Sequence, residues 1–223
     1  MSSFTFQFQT FESLPKLAWC ATFCEGDPVV RVQHGSGVET TGLSFFEGAW
    51  DGDFGTGDFL DSLTCAGSGG QASPDRVQFC SPTHTLERLF SLRAGNKLYV
   101  SNSLVFVLVT AEDDVDVNYP FYHHDFASVI DGIDKYVRAV PTRRGKKLEQ
   151  YYHCNFAVLS DLSVKVQRKN NRAAFSNYSE YETFLRSSVL SLCANAVDPR
   201  RRRTYKPLAT VSSGYDSPAA AAL

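Results

Sequence analysis

The sequence predicts an α+β protein in which a β-rich first region precedes the beginning of an α/β unit. Three observations lead to this prediction. Residues 4–11 alternate aromatic and polar side chains, as a strand with one buried face does. Short apolar runs bounded by Gly, Asp and Pro continue the pattern through much of the chain. Residues 206–223 then read as a strand, a tight loop and a helix.

The first region is expected to contain further short strands joined by polar turns. The apolar runs that predict them are 29–33, 42–46, 77–82, 86–93 and a run that starts at 97. Residues 50–59 contain Asp alternating with Gly, but they lack the glutamate and the spacing of an EF-hand, which favours a solvated turn over a calcium loop. Residues 62–74 are rich in Gly and Ser and are expected to form a loop.

Helices are predicted where the apolar residues recur at helical spacing. Ser103 is a candidate N-cap for an apolar helix, and residues 122–136 read as a helix that breaks at Gly132. A hairpin of 150–159 with 164–168 follows, and after a polar linker Asn177 is expected to cap one long amphipathic helix. The four arginines after that helix are expected to form a solvated loop.

Composition limits the classes of partner. Because 22 basic residues nearly balance 24 acidic ones, bulk charge predicts neither a nucleic-acid nor a membrane partner, and no run approaches membrane-spanning length. Six scattered cysteines without a CxxC pair predict buried, reduced thiols in a cytoplasmic protein. Adjacent His123, His124 and Asp125 would point in different directions on a helix, which favours a surface role over a metal site.

The C-terminal stretch is the strongest functional signal. An apolar run, 208–211, is short enough for a buried strand, and Ser217-Pro218 before a run of alanines is typical of a helix start. A loop of small residues that ends at a helix N-terminus presents amide hydrogens and positive dipole charge, which suits a phosphate or pyrophosphate. The carboxylate of Asp216 would repel such a ligand unless a cation lay between them, which suggests Mg²⁺.

The segment Ser212-Ser213-Gly214-Tyr215-Asp216-Ser217 resembles the Ser-Gly-Gly-x-Asp-Ser pyrophosphate loop of the N-type ATP pyrophosphatases, with Ser213 in place of the first glycine. The order of elements before it looks most like the asparagine synthetase family. There, as in residues 97–109 here, a Leu-Tyr-containing strand, a small polar stop and an apolar helix follow one another. The resemblance covers the whole chain loosely and residues 208–223 specifically.

By this resemblance, residues 1–172 would form a class II glutamine amidotransferase-like domain with the N-terminal-nucleophile-hydrolase fold, and 173–223 would begin the α/β ATP pyrophosphatase domain. The implied activity is ATP-dependent amide formation from a small-molecule carboxylate and an amine or ammonia donor. Implied ligands are ATP and Mg²⁺, and a homodimer is one expected assembly. Since the chain stops early in a helix with no C-cap or following strand, we expect it to be cut off inside its second domain and to show no turnover alone.

The implied roles of single residues also follow from the resemblance. Pyrophosphate would be held at four positions of the loop, Asp216 would bind Mg²⁺, and the backbone near Val211 would lie close to the adenine. The four pyrophosphate positions are Ser212, Ser213, Gly214 and Ser217.

The first domain departs from the family pattern at its nucleophile. The family uses a cysteine at position 2 to release ammonia from glutamine, whereas this chain has Ser2. A serine hydroxyl with its own amine as base could still act as an N-terminal nucleophile. The family's Asn-Gly oxyanion pair has no convincing match in this sequence. Two alternatives therefore stay beside the ligase, namely a non-catalytic β-rich binding module and a Ser2-dependent glutaminase.

Overall fold

Two β-sheets face each other across the core of the protein. The computed structural model describes residues 3–169, 174–208, 213–215, 218 and 222. One sheet has seven strands in the order β1-β3-β2-β9-β8-β11-β10, and the other has six in the order β13-β12-β7-β6-β5-β4. Except for β1 and β3, which are parallel, neighbouring strands are antiparallel. The strands of the described part of the chain are β1 Thr5–Thr10, β2 Trp19–Cys24, β3 Val29–His34, β4 Glu39–Thr40, β5 Ser44–Trp50, β6 Cys65–Ala72, β7 Arg76–Cys80, β8 Leu89–Ala94, β9 Lys97–Ser101, β10 Ala139–Pro141, β11 Lys147–Tyr151, β12 Cys154–Leu159 and β13 Val164–Arg168.

Aromatic side chains fill the space between the sheets. Trp19 of β2 stacks on Phe79 of β7, with ring centroids 5.8 Å apart, and Phe79 stacks in turn on Phe156 of β12 at 5.2 Å. Phe45 of β5 meets the Trp19 ring edge to face at 4.9 Å. Each buried aromatic ring removes a large apolar area from water, so this cluster joins the two sheets into one core.

Helices cover parts of both outer sheet surfaces. Helix α1, Leu104–Thr110, and helix α2, Tyr122–Ala127, pack on the seven-stranded sheet in a second apolar cluster. Helix α3, Tyr178–Ala196, contacts β5 on the six-stranded sheet. The order from one side to the other is therefore helices, sheet, sheet, helix, and the predicted α+β class is confirmed.

The caps of the helices agree with the sequence predictions. The Ser103 side chain accepts a hydrogen bond from the Phe106 amide, and Asn177 Oδ1 accepts one from the Glu180 amide. Helix α2 is shorter than predicted, because it passes into a 3-10 turn, Ser128–Asp131, just before Gly132. Within the described residues, no helix combines the length and apolar character that crossing a lipid bilayer requires.

The predicted loop at residues 62–74 is wrong, because β6 occupies most of it. Small residues are needed in this strand because bulky neighbours approach its backbone. A Cβ atom on Gly69 would lie 2.1 Å from the Phe45 carbonyl oxygen, and one on Gly70 would lie 2.9 Å from the Phe45 ring. The glycines that suggested a loop therefore make room for the aromatic core.

The predicted solvated turn at residues 50–59 is confirmed for its polar part, since 51–52 and 54–57 are bends and turns and Asp53 and Asp58 are exposed, but the aromatic residues at its two ends are buried. Trp50 and Phe59 are almost fully buried and pack with Phe46 in a third apolar cluster on the outer surface of the six-stranded sheet. Asp58 Oδ1 accepts a hydrogen bond of 2.7 Å from the Trp50 indole nitrogen. An aspartate that looked like a solvated turn residue thus satisfies a buried indole.

Candidate functional site

The predicted pyrophosphate loop lies only partly within the described residues. Ser213 and Gly214 are solvent-exposed, and the neighbouring Tyr215 is 95% exposed. The positions Val211, Ser212, Asp216 and Ser217, as well as Ser2 at the other end of the chain, lie outside the described residues. The convergence of amides and hydroxyls on one ligand therefore stays a prediction.

The flanks of this loop give one agreement and one difference. Pro218 and Ala222 have helical backbone, in agreement with a helix in this segment, and its start at Pro218 stays a prediction. Leu208, the first residue of the predicted buried strand, is 85% exposed and belongs to neither sheet. An apolar residue in a strand is buried only where a neighbouring strand or helix covers it, and Leu208 has no such cover in the described part of the chain.

The segment that leads to the loop is attached to the β-rich region. We call residues 198–205, which follow helix α3, the C-terminal strap. Arg200 bridges Asp198 and Asp53, with its Nη2 atom 2.6 Å from Asp198 Oδ2 and 2.8 Å from Asp53 Oδ2. Hydrogen bonds from Arg200 lower the pKa of Asp198 to about 2. Arg202 donates to the Val38 carbonyl at 2.6 Å, and the Tyr205 hydroxyl accepts from the Gly48 amide at 3.1 Å.

Arg201 is the buried centre of the C-terminal strap. The prediction that the arginine run is solvated is confirmed for Arg200, Arg202 and Arg203, which are exposed, and is wrong for Arg201. The side chain is only 6% exposed. Its guanidinium lies 4.3 Å from the Phe54 ring centroid, 5.7 Å from Trp50 and 5.2 Å from Tyr205. The guanidinium also donates to the backbone and side-chain oxygens of Asn195 at the end of α3. Aromatic faces and carbonyl oxygens replace the water that the charge loses on burial.

The predicted division between residues 172 and 173 is not tested by these contacts. They do show that α3 and the C-terminal strap dock on β5, since Asn195 also accepts from the Trp50 amide and donates to the Gly52 carbonyl. The chain that enters the predicted loop therefore starts from a fixed point on the six-stranded sheet.

The structure reveals a buried carboxyl that the sequence analysis missed. Glu47 Oε1 accepts a hydrogen bond of 2.7 Å from Ser68 Oγ and one of 3.4 Å from Asn102 Nδ2. Ser68 also accepts from the Trp19 indole at 3.1 Å, and the Trp19 amide donates to Asn102 at 3.0 Å. Glu47 and Ser68 belong to the six-stranded sheet, whereas Trp19 belongs to the other sheet and Asn102 follows β9 directly. The network therefore joins the two sheets.

Burial gives Glu47 unusual acid–base behaviour. Loss of water raises the pKa of Glu47 to about 8, although the hydrogen bonds from Ser68 and Asn102 oppose the rise. The carboxyl is consequently protonated at neutral pH. The period-two alternation of β5 could have identified Glu47 as buried. Phe45 and Glu47 share the inward side of that strand, while Phe46 lies on the outer surface.

A second buried group of titratable side chains lies beside the third apolar cluster. The sulfur atoms of Cys65 and Cys80 are 3.7 Å apart, and Lys169 Nζ lies 3.1 Å from the Cys80 sulfur. Cys65 and Cys80 are fully buried and Lys169 is 7% exposed. All six cysteines have free thiols; four are buried, in agreement with the prediction, and Cys24 and Cys193 are half-buried.

The adjacent residues His123, His124 and Asp125 do not all point apart, because His124 Nδ1 lies 3.2 Å from Asp125 Oδ1. Both histidines are exposed, whereas Asp125 is buried and accepts a hydrogen bond of 2.5 Å from the Tyr119 hydroxyl. Among the described residues, no three His, Cys, Asp or Glu side chains are grouped closely enough to hold a metal ion.

A cavity of about 210 Å³ lies next to the beginning of the chain. Phe4 lines it together with the turn before β3 and the turn after β6, through Pro28 and Pro74. The cavity walls include the carboxylates of Asp27 and Asp75, so they do not resemble a site that stabilises an oxyanion.

Comparison with protein-family models gives no match for this chain, and comparison with curated proteins gives none either. The functional interpretation therefore depends on the residues themselves.

Proposed function

We propose that this chain is part of an asparagine synthetase-like, ATP-dependent amide-forming ligase. The observation that carries the proposal is the segment Ser212-Ser213-Gly214-Tyr215-Asp216-Ser217 followed directly by Pro218. Hydroxyl side chains, one glycine and one carboxylate precede the predicted helix start there, and this composition suits the binding of a magnesium-complexed polyphosphate. The finer class of the first domain, an N-terminal-nucleophile-hydrolase-like fold, is part of the same proposal.

In the proposed reaction, an acceptor carboxylate attacks the α-phosphate of ATP. The bond between the α-phosphate and pyrophosphate breaks, and an acyl-adenylate forms. An amine or ammonia then attacks the acyl carbon, the amide bond forms, and AMP leaves with the electrons of the broken acyl–phosphate bond. Mg²⁺, when bound, neutralises charge on the departing pyrophosphate.

The residues of this chain would bind and orient the polyphosphate. Hydroxyls of Ser212 and Ser217 and amides around Ser213 and Gly214 would donate to phosphate oxygens, and Asp216 would hold Mg²⁺. The exposure of Ser213 and Gly214 supports the proposal, because a ligand can reach them from solvent. The C-terminal strap supports the proposal further. Because the strap fixes the chain just before the loop, the loop loses less conformational entropy when it binds a ligand.

Binding of MgATP to the full chain tests the proposal, with Asp216→Ala as the decisive variant. A saturating concentration, about 100 times the dissociation constant, should raise the free energy of unfolding by about 2.7 kcal/mol. Asp216→Ala should remove this stabilisation, because the cation that bridges protein and polyphosphate is lost. Asp131→Ala, which changes an exposed aspartate outside the loop, serves as the matched control and should respond like the wild type.

The MgATP experiment and a glutaminase assay together separate the alternatives. No change in stability with saturating MgATP would contradict the ligase and favour a non-catalytic module. Glutamine hydrolysis that Ser2→Ala abolishes would instead establish the N-terminal serine as a nucleophile.

A further inference from the structure

The Cys65–Cys80–Lys169 cluster has the geometry of a reactive thiol pair. The Cys80 sulfur has the Cys65 sulfur at 3.7 Å on one side and the Lys169 ammonium at 3.1 Å on another. When Cys80 is protonated, the Phe59 carbonyl at 3.4 Å is available to accept from it. Two sulfurs at van der Waals contact need to approach by less than 2 Å to reach bonding distance.

A lysine buried against a thiol is uncommon unless the thiol carries negative charge. Taking an ammonium out of water costs several kcal/mol, and a neutral sulfur is too weak an acceptor to offset that cost. A thiolate on Cys80 provides the compensating charge and accepts hydrogen bonds from both Cys65 and Lys169. The hydrogen bond from Cys65, together with the charge of Lys169, lowers the pKa of the Cys80 thiol below its ordinary value, although burial opposes this.

Lys169, which contacts the Cys80 sulfur, also lines space that a small molecule can enter. It lines a polar cavity of about 60 Å³ together with Ser62, Gln78 and Asn155, and it lines a larger cavity of about 400 Å³. The Asn155 Oδ1 atom is buried and has no hydrogen-bond partner among the described residues. A water molecule occupies about 30 Å³, so the smaller cavity can hold one molecule the size of hydrogen peroxide, with Asn155 as an acceptor for its hydroxyl.

We propose that Cys65 and Cys80 form a reversible, peroxide-sensitive dithiol in which Cys80 reacts first and Lys169 positions and stabilises its thiolate. The Cys80 sulfur attacks one peroxide oxygen, the O–O bond breaks, an S–O bond forms, and the departing hydroxide takes a proton and becomes water. The Cys65 sulfur then attacks the Cys80 sulfur, and the S–S bond replaces the S–O bond. The second hydroxide leaves with the Cys65 proton as water. Two thiols lose two electrons in total and one hydrogen peroxide is reduced to two waters.

The test uses the full chain, reduced and then treated with hydrogen peroxide at pH 7.4. Intact mass should fall by the two hydrogens that a disulfide releases, and peptide mapping should place the link between Cys65 and Cys80. A thiol reductant should restore the original mass. In Cys65→Ser, a sulfenic-acid trap should label Cys80, because the resolving thiol is absent. A chain that keeps six free thiols, or that links another pair first, would overturn the proposal.

The role of Lys169 needs variants of its own. Lys169→Met should slow disulfide formation at least about tenfold, because each unit of rise in the Cys80 pKa reduces the thiolate fraction tenfold. Lys169→Arg should recover much of the rate, since it restores the charge. Lys165→Met, which alters an exposed lysine on β13, the strand that ends just before Lys169, should react like the wild type. Equal rates in Lys169→Met and Lys165→Met would refute the positioning role.

Discussion

The buried carboxyl of Glu47 should make the stability of this protein depend on pH in a direction opposite to that of most acidic residues. Its pKa is raised to about 8 in the folded protein, against an ordinary value of 4.5. Between these two values the unfolded chain ionises Glu47 while the folded chain keeps it protonated. The stabilisation is therefore fully present below pH 4.5 and is lost as the pH rises towards 8.

The magnitude follows from the size of this shift. A single proton that the folded chain binds and the unfolded chain releases changes the free energy of unfolding by about 1.4 kcal/mol per pH unit. Between pH 5 and pH 8 the loss from Glu47 amounts to about 3 kcal/mol. Glu47→Gln cannot ionise, and its side-chain oxygen can still accept from Ser68 and Asn102. The variant should therefore gain about 3 kcal/mol relative to the wild type over this range.

Urea unfolding of both proteins at pH 5 and at pH 8 measures this difference. Other titrating groups contribute to both proteins alike and cancel when the two are compared. Glu12→Gln, which alters an exposed glutamate, controls for the loss of a charge at the surface and should show no such trend. If the stability difference between Glu47→Gln and the wild type changed by less than about 0.5 kcal/mol across these pH values, the reasoning would be refuted.

Two further predictions concern the C-terminal strap and β5. Arg201→Met should lower the free energy of unfolding by about 3 kcal/mol, since it removes desolvated cation–π contacts and charged hydrogen bonds. Arg203→Met, at an exposed position, should cost less than about 0.5 kcal/mol in the same urea titration. Equal losses in the two variants would contradict the packing assigned to Arg201. Gly48→Ala should cost at least about 2 kcal/mol by thermal unfolding, because Gly48 has φ +92° and a Cβ atom there would lie 2.1 Å from the Ala66 carbonyl oxygen. Gly26→Ala, at φ +78° but in open space, isolates the backbone strain and should cost only about 1 kcal/mol; a loss as large as that of Gly48→Ala would show that the close contact is not the cause.

Local patterns were sufficient to predict much of the fold. Alternation identified β1, and the caps at Ser103 and Asn177 were found from their side-chain chemistry. The turn and second strand of the β12–β13 hairpin were predicted correctly, but its first strand was predicted from residue 150, and residues 150–151 belong to β11 in the other sheet. These features depend on residues close together in sequence.

Features that depend on distant residues were missed. From sequence alone, the glycines of β6 indicate a loop. Their role in a strand is evident only once the rings of Phe45 and Phe79 are known to lie beside them. In the same way, the sequence around Arg201 predicts a solvated charge. The aromatic rings that bury it, Trp50 and Phe54, lie about 150 positions earlier in the chain. The Lys169 contact with Cys80 spans 89 positions and has no local signature at all. The loop at 212–217 has a local signature, but its shape depends on atoms outside the described residues.

The positions of the two indoles have a practical consequence for spectroscopy. Trp19 lies between the sheets against Phe79, whereas Trp50 lies on the outer surface beneath the Arg201 guanidinium. Both are shielded from solvent in the native state, yet detachment of residues 198–205 would uncover only Trp50. Emission from Trp50 should then shift to longer wavelength while Trp19 stays unchanged. Single-tryptophan versions of the protein would thus distinguish release of its C-terminal portion from loss of the whole fold.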